Sequence, residues 1–218
     1  FKCYGKQNKQ YMKMNLLNGL FFSKHNLEVD HSVILQEVKD SRYKPKDSTH
    51  NSRPHYKDTF PGHVFYEDTN LYDETYLTLK KAIKNIIEPV FGKDSFTQRE
   101  IWGHIIPNMD QTTVHAHRDV FNDAPGLSWA YYPHAPKKAG GITFITNVNG
   151  FDHNITVEPK EGELLLFSNT LLHFTPRNNS GEDRISVSGN LQITDELKNL
   201  LYKDVDYENP YWFYNGRC

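Results

Sequence analysis

The stretch TTVHAHRDVF, residues 112–121, holds His115, His117 and Asp119 within five positions. Along extended backbone, side chains at i and i+2 point to the same side. His117 and Asp119 therefore present an imidazole and a carboxylate together, and His115 joins them if the extended stretch reaches back that far. Two histidines and one carboxylate on one face are a common way of holding iron(II), with the opposite face left open. The carboxylate offsets half of the dication's charge, and the remainder still attracts an anionic co-substrate. A second histidine must then come from elsewhere. Alone, a His-x-Asp triplet is a weak signal in a chain with 11 histidines, because polar loops produce it by chance.

Two further stretches carry chemistry. In GELLLFSNTLLHFTP, a strand and a short polar turn lead to His173 after two leucines. Those apolar neighbours place its ring at a barrel mouth, entering a mostly buried site, or else make it a satisfied core histidine. Arg184 follows eleven residues later, in EDRISVSGNLQI. Strand alternation puts Arg184, Ser186, Ser188, Asn190 and Gln192 on one face, with Ile185, Val187, Leu191 and Ile193 on the other. An arginine flanked by two small hydroxyl residues suits a carboxylate. The guanidinium forms a bidentate, charge-assisted pair, and the serines add donors without blocking access. The competing reading is a solvent-facing strand with a surface ion pair.

These residues need a scaffold, and the periodicity describes one. From about residue 96 the pattern is period two: FTQREIWGHII, GLSWAYY, GITFITNV, HNITVEP, GELLLFS and RISVSGNLQI read as strands. NMDQ, NDAPG, KKAGG, NGFD, PKEG and NNSGED separate them as turns. Six short strands at this spacing predict an antiparallel sandwich or barrel. Helices precede strands rather than alternating with them, which argues against a parallel βαβ sheet. MKMNLLNGLFF is a candidate strand. DHSVILQEVKD has Val33, Ile34 and Val38 at helical spacing behind Asp30, an N-cap. DETYLTLKKAIKNIIEPVFG puts Tyr76, Leu79, Ala82, Ile83, Ile86, Ile87 and Val90 on one helix face, with Asp73 as cap, Gly92 as stop, and Pro89 expected to end the helix early.

The chain has 218 residues, 24 % charged and 37 % hydrophobic, with net charge −2. That is a globular composition with no strong whole-molecule pull toward nucleic acid. We expect one domain, 1–218: a mixed α/β support region at 1–95, a jelly-roll core at 96–193, and a C-terminal helix and aromatic tail at 194–218. The polar, Pro-interrupted stretch 41–63 is a long loop and a candidate lid. Residues 1–27 carry five lysines and no acid, which reads as a solvated basic arm before it reads as a polyanion contact. Cys3 and Cys218 are the only cysteines, so there is no disulfide scaffold and no Cys-x-x-Cys knuckle, and a cytoplasmic location is expected. No apolar run is long enough to cross a membrane.

In order, His117-x-Asp119, His173 and Arg184 resemble the Fe(II)/2-oxoglutarate-dependent dioxygenases, most strongly their prolyl-4-hydroxylase-like branch. LSWAYYPH followed by AGGITF is similar to that branch's tyrosine-bearing strand and Gly-Gly-x-x-Phe turn. VEPKEGELLLFSNTLLHFTPRNNSGEDRISVS is similar to its Pro-x-x-Gly-x-x-x-x-Phe segment, distal histidine and Arg-x-Ser strand. The resemblance covers roughly residues 98–193.

It implies a mainly β fold with flanking α-helices: a double-stranded β-helix, or jelly-roll, buttressed by N-terminal helices. It implies that His117, Asp119 and His173 ligate iron and that Arg184 pairs with the distal carboxylate of 2-oxoglutarate. Tyr132, the second tyrosine of its pair, and Ser186 or Ser188 would add hydrogen bonds there. The implied reaction uses Fe(II), 2-oxoglutarate and O2, with ascorbate as reductant, to hydroxylate a C–H bond while releasing succinate and CO2. A peptidyl proline or other protein side chain is the favoured substrate, ahead of a small metabolite or a nucleobase. Two rivals remain: a non-catalytic jelly-roll binding module, and a cupin-like metal enzyme that uses His115, His117 and His173 without 2-oxoglutarate.

Overall fold

The computed structural model describes residues 22–41, 63–64, 73–117, 126–148 and 150–196. In chain order the elements are β1 (Phe22–Asn26), α1 (His31–Ser41), β2 (His63–Val64), α2 (Asp73–Phe91), β3 (Phe96–Ile106), β4 (Gly126–His134), β5 (Ile142–Val148), β6 (Phe151–Val157), β7 (Glu163–Ser168), β8 (Leu172–Phe174) and β9 (Arg184–Ile193). The strands form two antiparallel sheets. The major sheet has the order β1-β7-β4-β9-β3-β2 and the minor sheet β6-β5-β8. Neighbours that are distant in sequence, such as β4 between β7 and β9, are the mark of a jelly-roll. Of the sequence expectations, the 1–21 segment, the 42–62 part of the long loop and the 197–218 tail lie outside the described residues. His63, at the loop's end, instead starts a two-residue strand paired with His104 of β3.

In the middle of the major sheet, at β7, β4 and β9, both faces are buried, and alternation sorts the side chains between two cores. Leu164 and Leu166 of β7, Trp129 and Tyr131 of β4, and Ile185, Val187 and Leu191 of β9 pack against Ile34 and Val38 of α1 and Leu79, Ile83 and Ile87 of α2. Their alternates turn inward. Leu165, Phe167, Ala130 and Tyr132 meet Ile142 and Phe144 of the minor sheet. This explains why ELLLFS shows no polar alternation: a strand covered on both faces is apolar throughout.

The helices act as buttresses. Asp30 caps α1, its carboxylate accepting from Ser32 N at 3.0 Å and from Ser32 Oγ at 2.6 Å. Ile34 and Val38 are one turn apart and buried, but Val33 is 43 % exposed and does not share their face. In α2 the buried stripe is Leu79, Ile83 and Ile87, while Val90 is exposed. Pro89 does not end this helix. A proline forfeits one i→i−4 bond, and here that loss falls in the last turn. The helix runs on to Phe91, Gly92 N donates to Glu88 O at 2.9 Å, and Gly92 stops it at φ +99°. The helix also begins at Asp73 rather than after it.

Candidate active site

Residues 112–117 run antiparallel to 169–175 and extend the minor sheet beyond β8. Thr112 N donates to Thr175 O at 3.0 Å, and His117 N to Asn169 O at 2.9 Å. Between them, His115 and His173 form a bridge in which each amide donates to the other's carbonyl at 2.9 Å. Residues paired in this way carry their side chains on the same face. His115 and His117, two apart on an extended segment, share that face too. The three rings gather there, with centroids 4.4 Å apart for His115 and His173, 5.0 Å for His117 and His173, and 5.2 Å for His115 and His117. Each ring offers one nitrogen, and these atoms lie within 4.8 Å of one another.

In each ring Nδ1 is tied to an oxygen. His115 Nδ1 donates to Thr113 O at 2.8 Å, His173 Nδ1 to Leu171 O at 2.8 Å, and His117 Nδ1 to Asn190 Oδ1 at 2.9 Å. A carbonyl can only accept, so these contacts set the Nδ1–H tautomer and leave the lone pair on Nε2, which is the form a metal needs. Electrostatics favour the same state. Burial is the main cause holding His117 down at about 4, with the nearby His115 charge adding to it and the Asn190 contact opposing. Burial also drives His173 well below its ordinary value, helped by the charges of His117 and His115. His115 is lowered by burial. Three neutral imidazoles on one buried face can hold a divalent cation.

On β9, Arg184 is 3 % exposed and therefore not on a solvent face. Its Nη1 donates to Gly141 O at 3.1 Å, and its guanidinium sits 5.0 Å from the Tyr132 ring centroid. Arg184 Nε and Tyr132 Oη are both buried without a hydrogen-bond partner, and among the described residues no carboxylate pairs with Arg184. A desolvated cation and phenol left unsatisfied are costly in a closed fold. A ligand carboxylate would satisfy both at once, so this pair fits one end of a dicarboxylate such as 2-oxoglutarate. Burial also raises Tyr132 above its ordinary value, against the opposing Arg184 charge, and so keeps it a donor. Tyr131 points the other way, into the helix-side core, where it contacts His31. Ser186 and Ser188 are buried on the Arg184 face of β9.

The structure thus brings together His117 and His173, with His115 beside them, and sets Arg184 against Tyr132. Asp119 lies outside the described residues. Sequence reasoning assigned no role to Asn190, although the strand alternation had put it on the Arg184 face. It also overlooked Trp102, whose ring centroid is 5.2 Å from that of His117. Its strand position was legible, but its neighbour was not.

Residues 100–190 match the model of a family described as "Putative 2OG-Fe(II) oxygenase". No curated protein matches the chain by sequence. Among solved structures, a prolyl hydroxylase from Trichoplax adhaerens, in complex with a hypoxia inducible factor oxygen degradation domain peptide, is similar with TM-score 0.60 and 16 % identity over 87 % of this chain and 90 % of that one. A non-heme alpha ketoglutarate dependent epimerase of nogalamycin biosynthesis has TM-score 0.58 and 15 % identity over 79 % and 78 %. HygX from Streptomyces hygroscopicus, with nickel and 2-oxoglutarate bound, has TM-score 0.56 and 13 % identity over 79 % and 83 %. At these identities the likeness is one of fold, and the fold serves more than one reaction.

Proposed function

We propose, from a 2-oxoglutarate/Fe(II) oxygenase core at residues 100–190, that this protein hydroxylates a C–H bond, with a peptidyl proline or another protein side chain as substrate. The observation that carries the reading is a pair of sites joined by one face of β9: an imidazole cluster with every Nδ1 anchored, His117 by Asn190, and a buried Arg184 that no carboxylate neutralises among the described residues. Bound iron, 2-oxoglutarate and O2 supply the oxidation, in which the substrate gains a hydroxyl oxygen while 2-oxoglutarate leaves as succinate and CO2. The protein's own residues position and shield. His117, Asp119 and His173 would hold the metal. Arg184 would receive the distal carboxylate, and Tyr132 with Ser186 or Ser188 would donate to it. Phe144 and Phe167, whose rings lie 6.0 and 5.0 Å from that of His173, would shield a metal held there from water. The peptide bound by the Trichoplax neighbour supports a protein substrate.

His115 favours a second reading of the ligand set. Its donor atom lies within the cluster, so three imidazoles can hold the ion without Asp119. The metal would then keep its full dipositive charge, and an anionic co-substrate would neutralise it.

The test is succinate formation from 2-oxoglutarate by the purified protein with Fe(II) and ascorbate in air, without added substrate. Slow turnover that is lost in both Arg184→Ala and His117→Ala is expected. Absence of turnover together with no anaerobic binding of either iron or 2-oxoglutarate would overturn the proposal.

A further inference from the structure

Asn190 stands one alternation step beyond Ser188 on β9, and its side chain crosses to the metal face. Its Oδ1 lies 2.9 Å from His117 Nδ1 and also accepts Ser128 Oγ at 2.8 Å. Ser128 is fully buried on β4, directly opposite Asn190 in the register. The Asn190 backbone is held as well: its carbonyl accepts Gln98 Nε2 at 3.0 Å, and Gln98 Oε1 accepts the indole N–H of Trp129 at 3.2 Å. Gln98 lies at the register shift of β3. His117 Nδ1 and Ser128 Oγ thus meet on the side-chain oxygen, while Gln98, itself held by Trp129, fixes the backbone of the same residue.

His115 and His173 are anchored by carbonyls of their own segments, two residues away in each case. His117 differs. Its anchor comes from the opposite sheet, so its tautomer depends on tertiary structure rather than on local backbone. We infer that Asn190 is the positioning residue of the site: it holds His117 as the Nδ1–H tautomer and turns the Nε2 lone pair toward the cluster. This rests on the metal-site reading above for its consequence, but not for its geometry. The amide could only play the opposite part by presenting Nδ2, which would put the proton on Nε2 and block ligation. The same strand would then carry both specificity elements, Arg184 for the co-substrate and Asn190 for the metal.

The test has two readouts on the full chain. The first is the His117 tautomer in metal-free protein, from long-range 1H–15N correlation spectra of wild type, Asn190→Ala and Asn190→Asp. The second is anaerobic Co(II) affinity from visible absorption. Wild type should show Nδ1–H. Asn190→Ala should shift His117 toward Nε2–H and weaken Co(II) binding about 10- to 100-fold. Asn190→Asp, which keeps the acceptor, should restore both. An Nε2–H tautomer in wild type, or an Asn190→Ala tautomer identical to wild type, overturns the inference. Failure of wild type to bind Co(II), with the tautomer still following residue 190, would refute the metal reading while leaving the positioning role intact.

Discussion

His115 and His173 sit directly opposite each other, each donating its amide to the other's carbonyl at 2.9 Å, with ring centroids 4.4 Å apart. A single backbone bridge therefore aligns two imidazoles from distant parts of the chain. It also places His117, two residues on, at the third corner.

This geometry makes the ligand set testable by substitution. If His117, Asp119 and His173 hold the metal, Asp119→Ala should lower Co(II) affinity more than about 100-fold, while His115→Ala should cost about tenfold, the lower end of the usual effect of a residue beside the ligands. The reverse order would establish the three-imidazole set. Calorimetric titration of both variants under anaerobic conditions decides between them.

Arg184 is expected to act on the co-substrate and not on the metal. Replacing Arg184 with Met should weaken anaerobic 2-oxoglutarate binding by about 100-fold, the loss of a charge-assisted pair worth roughly 3 kcal/mol. Co(II) affinity should be unchanged. The ligand-free variant should match or exceed the wild type in urea, because removing a buried, unneutralised charge removes its desolvation cost.

Gly141 admits no side chain. A Cβ there would lie 2.2 Å from Val157 O, and its own carbonyl holds Arg184 Nη1. Gly141→Ala should destabilise the fold by about 1–3 kcal/mol and weaken 2-oxoglutarate binding, both measurable by denaturation with and without the ligand. An alanine variant as stable as wild type would show that β5 can yield there.

The histidines also set a pH dependence. All three are lowered, His117 to about 4, so the unfolded chain binds more protons than the folded one as pH falls below the ordinary histidine value. Stability is fully present above about pH 6.5 and declines toward pH 4, with a limiting slope of about 1.4 kcal/mol per pH unit for each extra proton. Metal affinity should stay flat from pH 7.5 to 6.5, where the folded-state rings are neutral. Urea midpoints across pH 4.5–7.5 for wild type and His117→Ala would read the first effect, and the variant should show the shallower decline.

Much of the scaffold was legible in the chain. FTQREIWGHII and RISVSGNLQI coincide with β3 and β9, and Asp30 caps its helix as its residue type predicts. These features are local: period two, turn residues and a capping carboxylate act within a few residues of themselves. The misjudged details were those that a neighbour decides. Pro89 stays helical because its lost bond falls in the last turn, and Val33 and Val90 are exposed because α1 and α2 each meet the sheet along a narrow stripe. The face of β9 that could equally have met solvent is buried, with Gly141 O and Tyr132 against Arg184 and His117 against Asn190.

The same division holds for the site. Sequence alone determined which residues could do chemistry, since His-x-His-x-Asp, His173 and Arg184 are matters of residue type and order. Only the tertiary structure decided who stands beside whom. It brought His115 into the cluster through a bridge to His173, gave His117 an anchor from Asn190 across the barrel, and enclosed Arg184 against Tyr132. Alternation along a strand says which side chains share a face, but not what that face meets. That depends on how two sheets close over each other, and the closure is settled by contacts between residues far apart in the chain.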